Sequence, residues 1–473
     1  MLVAGEKMAK ITFLGGVGTV TGSKYLLEAD NTKVLVDCGM FQGLAELRQR
    51  NWEDPPFDPA SIDAVIITHA HIDHTGYLPR LVKLGFKGPV FTSKATRDLM
   101  KILLPDAARL QEEEADYRNR HQLTSHSPAL PLYGEAEARD ALALINGVDN
   151  DGVLIEIASG VRAGFSVAGH IMGASMVLVE IAGAQSDDGP MRFLFSGDLG
   201  HYEQPIVRDP AAPPDCDYLM CESTYGDREH GDERSDIQLA RLINEAARKG
   251  GPILIPAFAV GRTQEILYML RQLEDQERIP SLPVIVDSPM AAQATAVYSR
   301  SVLEHDAEYA SILATKTHPL RTDWMRTASS REESKRLNQM KGPRIIISAS
   351  GMMTGGRVLH HAMRVLPDEN ATVIFVGYQA AGTTGRRLVE GATEVKVMKQ
   401  WIKVRCAVEK VEGFSAHADW RAVIKWLEGL RTPPRKVFTT HGEPESAEAM
   451  ANHIRKRFGW VVEVPTLNQT VEL

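Results

Sequence analysis

The residues between Thr68 and Gly76 carry three imidazoles and one carboxylate within six positions, namely His69, His71, Asp73 and His74. They directly follow the apolar run Ala64–Ile67, whose composition predicts a buried strand. Histidines crowded at the mouth of a strand would repel one another when protonated and would be poorly solvated in a core. Neutral imidazole and carboxylate are, however, the ligands that zinc and its first-row neighbours take. The spacing therefore predicts a metal site.

Four further candidate ligands each follow an apolar run that is typical of a strand: Asp37, His170, Asp198 and His441. Each of them alone also fits a turn former or a helix cap. Their recurrence at the carboxyl ends of strands is more informative, because open α/β sheets bind their ligands at that edge. We therefore expect these side chains to join the first cluster.

The elements that must position these residues alternate between strands and helices, which predicts an α/β protein. The 473 residues are enough for two or three domains. The Pro-rich stretch from Asp209 to Pro214 predicts a connection between domains, and the apolar runs after it predict a parallel sheet that is buried on both faces. The predicted organisation is a first domain over 1–208, an inserted domain over 209–393 and a return to the first domain over 394–473.

The bulk composition sets limits on partners and location. The net charge of −8 argues against broad adhesion to nucleic acid, although a local basic cleft stays compatible with it. No apolar run has the length of a membrane helix, and the first ten residues are too short and too polar for a signal peptide. The four cysteines lack the spacing of a metal knuckle, so we expect reduced thiols and a cytoplasmic location without membrane partners.

Taken in order, these motifs resemble a known family. Asp37, the cluster at 69–74, His170 and Asp198 are similar to the successive motifs of the metallo-β-lactamase fold. The stretches Cys221–Gly226, Gly413–Asp419 and His441–Glu443 resemble the β-CASP nucleases, which include the polyadenylation-factor endonuclease and its bacterial relatives. The resemblance covers nearly the whole chain. It implies a four-layer αββα metallo-β-lactamase domain with an inserted, doubly wound parallel-sheet β-CASP domain that lies over the metal site.

The resemblance also implies roles for individual residues. One metal would be held by His69, His71 and His170, and a second by Asp73, His74 and His441. Asp198 would bridge the two, and Asp37 would orient ligands. Two Zn²⁺ ions are expected, with Mn²⁺ or Fe as alternatives. The catalytic set would comprise Asp37, Asp73, Glu222 and His417.

The implied reaction is hydrolysis of a phosphodiester. A hydroxide activated by the two metals would attack phosphorus. A histidinium at His417, kept protonated by Glu222, would then protonate the departing 3′-oxygen. The products would carry a 5′-phosphate and a 3′-hydroxyl. Without the resemblance, His417 also fits an N-capping or packing residue.

The expected substrate is single-stranded RNA. RNA-processing members of the family carry histidine at the position of His441, whereas DNA-processing members usually lack it. Three loops that lead from strands into helices in the inserted domain predict phosphate contacts, with Arg262, Ser350 and Arg357 as the leading residues. Ordinary turn chemistry with solvated arginines explains each of these loops equally well.

Two other functions stay open. A small-molecule hydrolase of the same fold would need the metal cluster but neither the inserted domain nor the pair Glu222 and His417, and an oxidoreductase of this fold typically has a carboxylate in place of His71. A non-catalytic RNA-binding subunit would not need the full ligand set that this chain carries.

No domain appended around residues 1–473 is evident, which favours endonuclease over exonuclease. The oligomeric state is open, with a homodimer as one alternative. The segment Met398–Trp401 departs from the small, polar turn of relatives, so we expect it to affect a domain seam or a partner surface rather than catalysis.

Overall fold

The computed structural model describes residues 9–123, 128–186, 189–230, 234–315, 318–337, 339–377, 379–380, 382–411 and 413–473. These residues form two compact units. Unit 1 comprises the chain up to Gln204 together with Asp209–Glu229 and His417–Leu473, and unit 2 comprises Pro205–Arg208 and His230–Ala416. Within the described ranges, no helix combines the length and the apolar character needed to cross a bilayer.

The amino-terminal part of unit 1 is rich in strands. Its strands are β1 (Ala9–Gly15), β2 (Lys24–Ala29), β3 (Thr32–Val36), β4 (Ala64–Ile66), β5 (Val90–Ser93), β6 (Ile145–Val148), β7 (Ile155–Ala158), β8 (Val161–Val167), β9 (Ser175–Ser186), β10 (Gly189–Phe195) and β11 (Tyr218–Glu222). Its helices are α1 (Ala45–Arg50), α2 (Ile72–Thr75), α3 (Leu78–Lys83), α4 (Lys94–Arg120) and α5 (Glu135–Ala143).

Unit 2 alternates strands with helices. Its helices are α6 (Ser235–Lys249), α7 (Arg262–Asp275), α8 (Pro289–Arg300), α9 (Ala307–Ala314), α10 (Arg331–Leu337), α11 (Arg357–Val365) and α12 (Thr384–Val389). Its strands are β12 (Pro252–Pro256), β13 (Val284–Val286), β14 (Met325–Thr327), β15 (Arg344–Ser348), β16 (Thr372–Val376), β17 (Glu394–Val397), β18 (Gln400–Lys403) and β19 (Ala407–Val411). The chain then completes unit 1 with α13 (Trp420–Leu427), β20 (Lys436–Thr440), α14 (Pro444–Phe458), β21 (Val462–Glu463) and β22 (Thr470–Glu472).

Two seven-stranded sheets form the centre of unit 1. One has the order β22-β1-β2-β3-β4-β5-β6 and the other the order β21-β20-β11-β10-β9-β8-β7. Their inner faces share one apolar core, in which Phe13 and Val36 of the first sheet join Phe193 and Phe438 of the second. Helix α4 packs against β5 and β6, and α14 packs against β20 and β21. Helices therefore cover outer faces of both sheets, and the predicted αββα architecture is confirmed.

The sheet of unit 2 is parallel throughout, with the order β14-β13-β15-β12-β16-β19. The strands β15 and β16 are buried along their whole length, which explains why their sequences are continuous apolar runs rather than alternating ones. The predicted doubly wound parallel sheet is thus confirmed.

The bounds of the compact units differ from the predicted domain bounds of 209 and 393. Strand β11 belongs to unit 1 because it pairs in parallel with β10 and β20. Strand β19 belongs to unit 2 because it pairs in parallel with β16. The Pro-rich stretch after Asp209 is therefore a connection within unit 1, and the chain returns to unit 1 at His417.

Candidate metal centre

The candidate ligands of unit 1 come together because of the sheet topology. The strands β3 and β4 run parallel in one sheet, and β10, β11 and β20 run parallel in the other. The carboxyl ends of parallel strands meet at one edge of a sheet. Asp37, Asp198 and His441 follow β3, β10 and β20 at that edge, and Glu222 is the last residue of β11.

The first group of ligand atoms comes from His69, His71, His170 and Asp198, and these atoms lie within 4.8 Å of one another. His71 Nδ1 is 3.1 Å from His69 Nε2 and 3.3 Å from His170 Nε2. Asp198 Oδ2 lies 3.5 Å from His69 Nε2 and 3.7 Å from His170 Nε2. Four donor atoms from three separate loops thus surround one point.

The second group comprises Asp73, His74 and His441. His441 Nε2 lies 3.1 Å from His74 Nε2 and 3.6 Å from Asp73 Oδ2. The other oxygen of Asp198, Oδ1, lies 3.4 Å from His74 Nε2. Each oxygen of the Asp198 carboxylate is therefore close to a different group.

The side chains in these groups fit a bound cation. His69, His74, His170 and Asp198 are buried, and Asp198 Oδ1 has no hydrogen-bond partner among the described residues. A buried carboxylate oxygen without a partner is costly unless a cation compensates it. Imidazole nitrogens that face one another at 3.1 to 3.3 Å are likewise explained by a shared cation.

The pKa values of these residues also favour a bound cation. Burial lowers the pKa of His71 to about 4 and holds that of His69 well below its usual range, so both are neutral at pH 7 and offer lone pairs. Burial would also lower the pKa of His74, but the carboxylates of Asp198 and Asp37 raise it to about 10. Burial would raise the pKa of Asp73, yet His441 and His74 lower it overall. The field of these carboxylates favours positive charge and so favours a bound cation.

Two histidines of the second group are also contacted at Nδ1 by neighbouring side chains. Asp37 Oδ2 lies 2.7 Å from His74 Nδ1, and Asp37 Oδ1 accepts a hydrogen bond from the Thr68 backbone N–H at 2.8 Å. Thr224 Oγ1 lies 3.1 Å from His441 Nδ1. Sequence reasoning anticipated Asp37 but missed Thr68 and Thr224 as supporting residues. Thr68 is adjacent to the cluster and could have been noticed, whereas nothing in the sequence links Thr224 to a histidine so far along the chain.

Glu222 and His417 form a pair beside the first group. His417 Nδ1 lies 3.2 Å from Glu222 Oε1 and 3.9 Å from Asp198 Oδ2. Burial would lower the pKa of His417, but the Glu222 carboxylate raises it to about 9. Glu222 also accepts a hydrogen bond from the Leu199 backbone N–H at 2.7 Å, which holds its carboxylate in place. His417 is thus a protonated imidazole at neutral pH, and 21% of its side chain is exposed.

Two glycines allow the loops of the centre to approach closely. A Cβ atom at Gly39 would lie 1.6 Å from the Asp73 carbonyl oxygen. A Cβ atom at Gly200 would lie 2.0 Å from the Gly169 carbonyl oxygen, beside His170. Any larger residue would push the ligand loops apart, so the spacing of the metal ligands depends on these glycines.

The three phosphate-contact candidates all lie in unit 2, and their contacts are with the protein itself. Arg357 Nη1 donates to Asp287 Oδ1 at 2.7 Å and to the Ala328 carbonyl at 2.9 Å. Arg262 pairs with Glu265, and its guanidinium lies 5.4 Å from the centre of the Phe414 ring. These contacts hold both arginines against the protein, and the phosphate contact of each stays a prediction.

Ser350 is also occupied locally, because its Oγ accepts a hydrogen bond from the Thr354 backbone N–H at 3.0 Å. This bond closes a turn before α11. Asp287 further accepts hydrogen bonds from His361 Nε2 at 2.6 Å and Ser334 Oγ at 2.5 Å. We call Asp287, Ser334, Arg357 and His361 the Asp287 cluster.

Comparison with known proteins assigns the chain to a family. Residues 17–136 match the metallo-β-lactamase superfamily, and residues 263–388 match the β-CASP domain. Residues 401–465 match the Zn-dependent metallo-hydrolase RNA specificity domain. Ribonuclease TTHA0252 of Thermus thermophilus is 34% identical over 449 residues, which cover 95% of this chain and 96% of that protein. The chain belongs to the β-CASP family of the metallo-β-lactamase superfamily.

Other relatives are consistent with this assignment. Transcription termination factor FttA of Methanocaldococcus jannaschii is 30% identical and that of Methanothermobacter thermautotrophicus is 32% identical, each over 98% of this chain and 72% of the relative. A crystal structure of a protein of unknown function from Enterococcus faecalis V583 shares the fold, with a TM-score of 0.53, 14% identity and coverage of 98% and 100% of the two chains. The predicted family and the predicted class of metal-dependent hydrolase are confirmed, and the chain uses a metal cofactor.

Proposed function

We propose that this β-CASP protein is a ribonuclease that hydrolyses phosphodiesters of single-stranded RNA at a centre of two zinc ions. The observation that carries the proposal is the position of Asp198, whose Oδ2 lies 3.5 Å from His69 Nε2 and whose Oδ1 lies 3.4 Å from His74 Nε2. A carboxylate between two groups of imidazoles suits a pair of cations. The relatives named a ribonuclease and a transcription termination factor support RNA as the substrate.

The proposed ligand sets follow the two groups. His69, His71 and His170 would hold one ion, Asp73, His74 and His441 would hold the other, and Asp198 would contact both. Zinc is the preferred metal because the donors are imidazoles and carboxylates, and manganese or iron is the alternative. When bound, such a pair of ions supplies an activated water and neutralises charge on the phosphate.

The chain's own residues would then manage protons and orientation. His417 would donate the proton from Nε2 to the departing 3′-oxygen, because its Nδ1 faces Glu222. Glu222 would keep the imidazole protonated and fixed in orientation. Asp37 would orient His74 as a ligand through the contact of 2.7 Å with Nδ1.

Product analysis tests the reaction. Purified protein, with zinc content measured by mass spectrometry, is incubated with linear and circular single-stranded RNA. We expect cleavage of both substrates, with 5′-phosphate and 3′-hydroxyl ends, and loss of cleavage in His71→Ala and His417→Ala. Because a circle has no ends, cleavage of linear RNA alone would contradict the endonucleolytic mode. Identical cleavage by wild type and His71→Ala would contradict the nuclease function altogether.

We also propose a reducing, cytoplasmic location. All four cysteines are buried as free thiols, and burial raises the pKa of the Cys38, Cys216 and Cys406 thiols to about 12, 12 and 11. Buried neutral thiols suit a compartment without disulfide formation. The homodimer stays a prediction, which sedimentation velocity would test.

A further inference from the structure

The strands β17 and β18 form an antiparallel hairpin in unit 2 with Met398 and Lys399 as its two-residue turn. Both turn residues have positive φ, 47° for Met398 and 69° for Lys399. Turns of this kind favour Asn-Gly, because other residues are strained at positive φ. The need to form a turn therefore does not explain why Met398 and Lys399 stand here. A function of this segment would explain them.

One face of the hairpin anchors it to unit 2. Val395 and Val397 are each 1% exposed and belong to the apolar core beneath α11, where Ile402 and Val404 pack against them. Because the inner face is fully used in packing, changes to the outer face should leave the fold intact.

The outer face presents an exposed aromatic ring among cations. Trp401 is 59% exposed and lies directly opposite Lys396 in the hairpin register. The guanidinium of Arg387, from α12, lies 5.7 Å from the centre of the Trp401 ring. Residues directly opposite one another on antiparallel strands project from the same face. The indole ring is therefore flanked by positive charge from both the hairpin and the helix.

The charge of this face is positive although the chain is acidic as a whole. Arg387, Lys396, Lys399 and Lys403 are all exposed, and Glu394, opposite Lys403, is the carboxylate of the hairpin. The chain in total carries a net charge of −8. We call the four cations together with Trp401 the Trp401 platform.

We infer that the Trp401 platform binds single-stranded RNA, with a base stacked on the indole ring and the phosphates held by the flanking cations. This inference rests on the proposed ribonuclease function and adds a substrate-binding surface to it. An exposed aromatic ring within a basic surface is the arrangement that binds single strands without sequence preference, since every base has a stacking face. Phosphate contacts by Lys and Arg supply the remaining affinity.

Charge complementarity favours RNA over a second copy of this chain. Two copies that met through this platform would bring eight cations together against two carboxylates, as follows from four cations and Glu394 in each. A polyanion neutralises the same cations. A second copy of this chain, paired through Trp401, is the competing outcome of the test.

The test is equilibrium binding of a short fluorescein-labelled single-stranded RNA to the zinc-loaded full chain, measured by fluorescence anisotropy. All variants carry His417→Ala, which is expected to abolish cleavage, so that the RNA stays intact. We expect Trp401→Ala to weaken binding about tenfold, as for loss of one stacked base. Trp401→Phe should restore most of the affinity. The matched control is Trp324→Ala, since Trp324 is 63% exposed in the same unit and lies outside the platform.

The salt dependence of binding gives a second measurement. Lys396→Gln should lower the slope of log affinity against log salt by about 0.7, the value for one phosphate contact on a single strand. This measurement does not depend on the stacking variant, and Lys396 is exposed on the outer face, so its replacement leaves the core in place.

The outcomes separate this inference from the proposed function. If wild type cleaves RNA while Trp401→Ala and Lys396→Gln keep its affinity and salt slope, the platform is wrong and the ribonuclease stands. A change of sedimentation coefficient in Trp401→Ala with unchanged RNA affinity would replace RNA by a second copy of this chain. If wild type neither cleaves nor binds RNA, the proposed function is wrong. The inference about the platform rests on that function and is then wrong as well.

Discussion

Each unit of the molecule contains a buried cluster of aspartate and histidine, and the two clusters differ in how their polar atoms are satisfied. In the Asp287 cluster, both carboxylate oxygens accept hydrogen bonds, from Arg357 at 2.7 Å and from His361 at 2.6 Å. In the metal centre, Asp198 Oδ1 has no hydrogen-bond partner among the described residues. The same residue types thus complete a network in one unit and leave donor atoms available in the other.

The comparison shows how a ligand site can be told from a structural network. Buried polar groups are normally paired, so a cluster that is complete within the protein needs no further ligand. A cluster in which a buried carboxylate oxygen lacks a hydrogen bond and imidazole nitrogens face one another suits a bound cation. The Asp287 cluster therefore holds Arg357 against the protein, and the metal centre suits a bound cation.

The largest effect is expected from Asp198→Asn. This change removes the negative charge that lies between both groups of ligands, so we expect both zinc ions to be lost and RNA cleavage to fall by at least about 10³-fold. Mass spectrometry of the metal content and single-turnover cleavage measure the two effects. Retention of two zinc equivalents by this variant would contradict the bridging role.

The second prediction concerns Asp287→Asn. It should destabilise the protein by about 3 to 5 kcal/mol, as for breaking a buried ion pair, with the zinc content unchanged. The control is Asp323→Asn, because Asp323 is 64% exposed beside Arg271 and should contribute less than about 1 kcal/mol. Denaturant unfolding compares the two variants, and equal destabilisation by both would contradict the structural role of the cluster.

The Asp287 cluster should also make stability depend on pH. Burial raises the pKa of Asp287, but the hydrogen bonds from His361, Ser334 and Arg357 outweigh this and lower it. A lowered folded-state pKa means that the stabilisation is complete above the unfolded value of about 3.9 and is lost as the pH falls through the folded value. Acid unfolding of wild type and Asp287→Asn should therefore converge at low pH.

The third prediction concerns the pH profile of Glu222→Gln. In wild type, His417 has a pKa of about 9 because of the Glu222 carboxylate, so the proposed acid is protonated below that pH and activity should fall above it. Without the carboxylate, the pKa of His417 falls, and the alkaline limb of the rate profile should move toward neutral pH. A profile with an unchanged alkaline limb would remove His417 from the role of acid.

The smallest effect is expected from Thr224→Val. Thr224 Oγ1 lies 3.1 Å from His441 Nδ1, so its loss should weaken zinc at the second group by about tenfold through poorer orientation of the ligand. Zinc competition with a chromophoric chelator measures this change. Thr372→Val, which removes a buried hydroxyl in unit 2, is the control and should leave zinc affinity unchanged.

Much of the architecture could be predicted from local patterns. The buried strand predicted at Ala64–Ile67 is present as β4, Ala64–Ile66, because an apolar run is a local signal. The bounds of the units could not be read in this way. Strand β19 lies in unit 2 through pairing with β16, and strand pairing is a long-range property.

The loops that carry the phosphate-contact candidates show the same limit for side chains. A strand followed by small residues and an arginine predicts an anion site, and the sequence before Arg357 fits this pattern. Whether the guanidinium meets a phosphate or a carboxylate depends on Asp287, which is 70 positions away in sequence. Local pattern carries no information about such a partner.

Local sequence was enough to predict the ligand types, the family and the class of reaction, because the spacing of His69, His71, Asp73 and His74 and the motifs after them are specific. Which of the polar residues remain available for a ligand depends on the folded arrangement. It brought Asp198 between two groups of imidazoles, Thr224 behind His441, and Asp287 against Arg357. The physical reason is that availability depends on whether a buried atom has found a partner, and partners are supplied by distant parts of the chain.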